Sequence, residues 1–109
     1  MNITIRAVGM DMTDAIRQYI EDKFPTLEKY TREIEFIDIS VGKEAAHHHK
    51  GEVFLCSATV QIPGDVLKIE REEADLYKAI DKVKDHLRET LAQHKERRVD
   101  EHKDGPAKD

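Results

Sequence analysis

The chain has 109 residues, a length that suits one domain and leaves no room for a second. Hydrophobic residues make up 39% and charged residues 38%, and apolar positions recur periodically along most of the length, which excludes a disordered polyampholyte. The single cysteine, Cys56, excludes an intrachain disulfide, and the net charge of −5 argues against a uniformly basic nucleic-acid binder.

The first segment, Asn2 to Ala7, alternates. Ile3, Ile5 and Ala7 share one side, and Asn2, Thr4 and Arg6 the other, as in a half-buried strand. Gly9 breaks the pattern. Thr13 is a good helix N-cap, and Asp14 suits the positive end of the dipole. Ile16, Tyr19, Ile20, Phe24 and Leu27 then follow at steps of three and four, which predicts an amphipathic helix over residues 14–30. Pro25 cannot donate to the carbonyl of Glu21, so a kink or break is expected near Lys23-Phe24.

From Glu35 the period changes to two. Ile37, Ile39 and Val41 form one face of a strand, and Phe54, Cys56, Ala58, Val60 and Ile62 form the next. The polar stretch from Gly42 to Glu52, with His47, His48 and His49, reads as their connection. Pro63-Gly64-Asp65 is a turn, and Leu67, Ile69 and Arg71 alternate in a last short strand. Leu76, Ile80, Val83, Leu87, Leu91 and His94 fall in a narrow arc at about 100° per residue, which predicts a long helix over 74–98. Residues 99–109 are polar and contain Gly105-Pro106, so a flexible tail is expected after a 1–98 domain.

The order is β-α-β-β-β-α. The fold class is therefore α+β: a four-stranded sheet, its last three strands an antiparallel meander, with two helices packed on one face. The other face is left polar and open.

The sequence carries no Gly-rich phosphate loop, nucleophile elbow or other cofactor motif, and no constellation of acid, base and nucleophile. An enzyme with a small-molecule substrate is the weakest reading. Cys56 sits among apolar neighbours and reads as core, not as a reactive thiol. His47-His48-His49 lie consecutively, so they point in different directions and do not form a fixed tetrahedral metal site. His86, His94 and His102 are each turned by about 80° from the last, so they share no face. The longest apolar run, Val53 to Cys56, is far short of the ~20 residues that span a bilayer. The N-terminus has no signal-peptide pattern, so the reading is a cytoplasmic protein with no membrane partner.

The basic residues remain. Arg17, Lys23 and Lys29 lie off the apolar stripe of the first helix. On the second helix Lys84, Arg88 and Lys95 share one flank, with Tyr77 beside them. Lys78 and Lys82 lie further round, next to Asp85 and Glu89, and Arg97 and Arg98 add charge near the end. The basic excess on this helix is small, and such a face is commonly just solvated. Three long side chains on one ridge can nonetheless neutralise successive phosphates.

Several segments resemble one known family, and the likeness runs from Asn2 to about Arg98. They are Met1-Asn2-Ile3-Thr4, Thr13-Asp14-Ala15-Ile16-Arg17, Lys23-Phe24-Pro25-Thr26-Leu27-Glu28-Lys29-Tyr30 and, most specifically, Glu73-Ala74-Asp75-Leu76-Tyr77-Lys78-Ala79-Ile80-Asp81. The family is that of the ribosome hibernation factors, also described as ribosome-associated inhibitors or sigma-54 modulation proteins. The chain is similar to its short members, which lack a C-terminal domain that pairs ribosomes.

The resemblance implies a β-α-β-β-β-α fold whose basic helix faces grip the rRNA of the small ribosomal subunit, between head and body. There the protein would occupy the channel of mRNA and tRNA and block translation. On this chain the implied rRNA-binding residues are Arg17, Lys23, Lys29, Lys78, Lys82, Lys84, Arg88, Lys95, Arg97 and Arg98. Where relatives commonly carry Lys or Arg, this chain has His86, Glu89 and Gln93. Two other readings stay open. One is a protein–protein regulator, such as a transcription-factor modulator, acting through the open sheet face at Thr59 and Gln61. The other is a binder of free double-stranded RNA. A monomer or a weak dimer paired at a sheet edge fits the pattern.

Overall fold

The structure, a computed structural model, describes residues 2–29, 33–45 and 52–108, with side chains described for 2–29, 33–43 and 53–94. Strand β1 spans Asn2–Val8 and helix α1 spans Asp14–Lys23, followed by a 3-10 segment, Phe24–Lys29. Strands β2 (Phe36–Ala45), β3 (Glu52–Ile62) and β4 (Asp65–Glu73) precede helix α2 (Leu76–Lys108).

Local chemistry explains the element ends. The Thr13 side chain accepts from the Ile16 N–H at 3.1 Å and caps α1. The α-helical pattern stops where Pro25 has no N–H to give, and the chain tightens into the 3-10 segment. The Thr26 hydroxyl donates to the Lys23 carbonyl at 2.6 Å, which satisfies an acceptor at the break. The kink expected near Lys23-Phe24 is therefore a change of helix type at that point. Between β3 and β4, Gly64 takes φ of 79° directly after Pro63, the Pro-Gly arrangement of a type II turn.

The strand order is β1-β2-β3-β4. Strands β2, β3 and β4 form the expected antiparallel meander. β1 lies parallel to β2, and α1 with the 3-10 segment supplies the crossover that a parallel pair requires. Register carries apolar rows across the inner face: Ile3, Ile37, Val60 and Leu67 in one, and Ile5, Ile39, Ala58 and Ile69 in the next. A third row, Ala7, Val41 and Cys56, ends at Arg71 on the edge strand. Outer rows are polar, such as Arg6, Ser40, Ser57 and Glu70.

Both helices contribute to one core. Ile16, Ile20, Phe24 and Leu27 join Ala79, Ile80, Val83, Leu87 and Leu91 against Ile37, Ile39, Val41, Cys56, Val60 and Ile62. No polar or charged residue is buried among the described ones.

Three boundaries differ from the sequence expectation. β2 and β3 reach into the polar connection, pairing as far as Ala45 with Glu52, because backbone bonds extend a hairpin beyond its apolar residues. β4 likewise runs from Asp65 to Glu73. α2 begins at Leu76 and continues to Lys108 instead of ending near residue 98, and no glycine or proline interrupts 99–104. His47, His48 and His49 lie outside the described residues.

Cys56 is fully buried, and desolvation pushes its thiol pKa up to about 12. A thiol-specific reagent at pH 8 is expected to leave Cys56 untouched in native protein and to label it once urea unfolds the chain. Rapid labelling without denaturant would contradict this packing.

Candidate nucleic-acid interface

The apolar stripe of α2 faces the sheet, and this orients everything else on the helix. At about 100° per residue, Tyr77, Asp81, Lys84 and Arg88 occupy one flank of that stripe within an arc of roughly 60°. Lys82, His86 and Gln93 occupy the other flank, and Lys78, Asp85 and Glu89 lie towards the outside. Side-chain contacts show which flank faces which neighbour.

The first flank faces α1. The Tyr19 hydroxyl donates to Asp81 Oδ1 at 2.6 Å, and the Tyr19 ring meets the Tyr77 ring edge-on, with centroids 4.9 Å apart and planes at 84°. Lys23 Nζ lies 4.9 Å from the centroid of the Tyr19 ring, a cation–π contact. This contact holds Lys23 against Tyr19 on α1. Further along α2, Lys84 is partly buried along its stem, with Nζ 3.9 Å from Asp85 Oδ1. Arg88 is exposed one turn on. Lys84 and Arg88 thus share one flank of α2 with Tyr77, and Lys23 adjoins the Tyr19 that packs on Tyr77.

The hydrogen bond to Asp81 is the main cause that raises the Tyr19 pKa from 10.0 to about 12, with desolvation second. The bond needs the neutral phenol, so its contribution to stability is complete below pH 10 and is lost as pH rises towards 12.

The second flank faces β4 and is different in sign. Lys82 Nζ bonds Glu73 Oε2 at 2.8 Å. Arg71, the inward-pointing end of its sheet row, lies 3.0 Å through Nη2 from His86 Nδ1. These residues line an open groove of about 670 Å³ together with Glu70, Glu72, Asp85 and Glu89. His86, Glu89 and Gln93, where the resemblance leads one to expect Lys or Arg, lie on or beside this acidic flank, not towards α1.

The other sequence-selected residues are dispersed. Arg17 is exposed but turned about 160° from Tyr19 around α1, away from α2. Lys29 closes the 3-10 segment, and Lys78 points outwards. α2 carries Lys95, Arg97 and Arg98, whose side chains lie outside the described ones. On the open sheet face, Gln61 donates to the carbonyls of Ile62 (2.9 Å) and Asp65 (3.0 Å), so its amide is tied to the hairpin turn.

Sequence periodicity reached the α2 flank but missed Tyr19 and Asp81 as a link, because they are 62 residues apart. The acidic groove was also missed. Its signal in the sequence was the run Glu70-Arg71-Glu72-Glu73 with Asp85 and Glu89 on the facing helix. Among the described residues, no group of three or more His, Cys, Asp or Glu could hold a metal ion. Nor is any helix among them long and apolar enough to cross a membrane.

The result is a two-layer α+β domain with one basic and one acidic flank along α2. The chain belongs to the family described as sigma 54 modulation protein / S30EA ribosomal protein, whose model matches residues 3–99. It is 29% identical over 100 residues to the ribosome hibernation promoting factor of Azotobacter vinelandii, covering 92% of this chain and 88% of that one. A ribosomal subunit interface protein from Coxiella burnetii shares the fold with a TM-score of 0.76 at 25% identity, over 87% of this chain and 98% of that structure. The N-terminal domain of Thermus thermophilus Protein Y is similar at 32% identity, with a TM-score of 0.68, over 86% of this chain and 99% of that domain.

Replacing Tyr19 by Phe is expected to cost roughly 1 kcal/mol in urea unfolding, because it leaves Asp81 without its partner at a part-exposed site. The same variant should lose a phenol that ionises near pH 12 in an ultraviolet titration. An unchanged titration curve would place that phenol elsewhere.

Proposed function

We propose that this chain is a ribosome hibernation factor that binds the rRNA of the small ribosomal subunit and blocks the mRNA–tRNA channel. The observation that carries the reading is the α2 flank that faces α1, where Lys84 and Arg88 share a side with Tyr77 and Lys23 sits over the Tyr19 ring that packs on it. Membership of the family and the names borne by its relatives supply the ribosome as the partner.

The mechanism is occlusion. Lys and Arg side chains on one flank release counterions from phosphates, which gives affinity without reading sequence. A rigid domain held there excludes mRNA and tRNA by volume, and no covalent step is needed. Residues 1–98 form the binding unit in this reading, acting in the cytoplasm as a monomer or weak dimer. The net charge of −5 is compatible with it, because Glu70, Glu72, Glu73, Asp85 and Glu89 line the groove on the β4 flank, away from Lys84 and Arg88. That flank is repelled by RNA, which sets the side on which the domain docks.

The test is co-sedimentation with purified small subunits across a salt series. Wild-type protein should pellet near one per subunit at low salt, be displaced by mRNA with tRNA, and be released as salt rises. Lys84→Glu and Arg88→Glu should each weaken binding by roughly tenfold or more and reduce the salt slope by about one. Lys82→Glu, on the opposite flank, should change little. No pelleting at low salt with ribosomes from its own source would overturn the proposal, and so would unaltered binding by both flank variants. Loss of function on changing Thr59 at the sheet face instead would favour a protein partner.

A further inference from the structure

We propose that Tyr77 is a stacking platform for one unpaired nucleobase. This rests on the small-subunit reading above and adds a ligand subsite to it.

Tyr77 is 39% exposed in a domain whose other described aromatic rings are half-buried or buried. An edge-to-face contact covers at most one face of a ring, so the contact with Tyr19 leaves Tyr77 a face for another partner. The ring is also pinned. Its backbone N–H donates to Asp75 Oδ1 at 2.9 Å in the first turn of α2, and Tyr19 behind it is tied to Asp81. A pinned aromatic ring loses little entropy when a base stacks on it.

Charge decides which part of a nucleotide comes here. Asp75 accepts from the Tyr77 N–H at the start of α2, and Asp81, one turn after Tyr77, accepts from Tyr19. They repel phosphate and tolerate a neutral base. Cations begin further along the same flank: Lys84 and Arg88 lie about 10 and 16 Å from Tyr77 by the helical rise. A strand that stacks one base on Tyr77 can therefore lay the phosphates of its next nucleotides along Lys84 and Arg88. Aromatic rings interleaved with cations are how proteins hold single strands without reading their sequence. A base inside a duplex presents no face, so the ligand is an unpaired nucleotide of the rRNA.

The experiment compares wild type, Tyr77→Phe, Tyr77→Leu and Tyr77→Trp for binding to vacant small subunits at fixed salt. Tyr77→Phe should bind within about twofold of wild type, since stacking needs the ring and not the hydroxyl. Tyr77→Leu, which keeps an apolar contact for Tyr19, should bind roughly 5- to 150-fold more weakly with the salt slope unchanged. The chain has no tryptophan, so Tyr77→Trp places a single indole at the site, and its emission should be quenched on the subunit. Wild-type affinity in Tyr77→Leu, or unquenched emission from bound Tyr77→Trp, would overturn the stacking site and leave the ribosomal reading standing. Failure of wild-type protein to bind subunits would overturn both.

Discussion

One apolar stripe on α2 governs the architecture. Ala79, Ile80, Val83, Leu87 and Leu91 are all fully buried against the sheet. Burying five such side chains outweighs any preference the helix surface has, at about 25 cal/mol for each Å² removed from water. The helix therefore cannot rotate. Once its rotation is set, so is the sign of each flank: Lys84 and Arg88 turn towards α1, and Lys82, His86 and Gln93 turn towards β4. Packing deep in the core thus decides where charge appears on the surface.

The two flanks are then completed by different partners. Towards α1 the completion is aromatic. Tyr19 holds Asp81 by a hydrogen bond, takes Lys23 over its ring and meets Tyr77 at its edge, so one side chain organises both helices. Towards β4 the completion is ionic, with Glu73 on Lys82 and Arg71 beside His86. The surface of this chain is better described by these two opposed regions than by its net charge. Cations held at 24% exposure, such as Lys84, also keep a more defined position than solvated ones.

Much of the fold was legible because its cues are local. Alternation in Ile3, Ile5 and Ala7, the Thr13 cap, Pro25 after Phe24, and the stripe from Leu76 to Leu91 each report on the residues within a turn or two. The order β-α-β-β-β-α follows from such cues alone. The pairing of β1 with β2 did not, since alternation says that a strand has a buried face and not which strand lies beside it. Strand ends were also misjudged. Lys43 and Glu44 look like loop by composition, yet the backbone ladder continues through them. At the candidate interface, helical spacing grouped Lys84 with Arg88. It could not place Lys23 over Tyr19 or Tyr19 against Tyr77 and Asp81, because that depends on how α1 lies against α2. The charge of the β4 groove was invisible for the same reason: three of its acidic residues come from a strand and two from a helix.

Because α2 follows the sheet strands in sequence, the order of synthesis bears on how the domain comes into being. During synthesis the sheet strands emerge first, and β1 waits for β2 across the whole of α1 before it has a neighbour. The inner face of β3 and β4 then remains uncovered until Leu87 and Leu91 have been made. The part of the core that α2 supplies closes only when that helix docks. A nascent chain that stalls before residue 91 would present a wet apolar sheet with two open edges, the kind of surface that associates with its own copies.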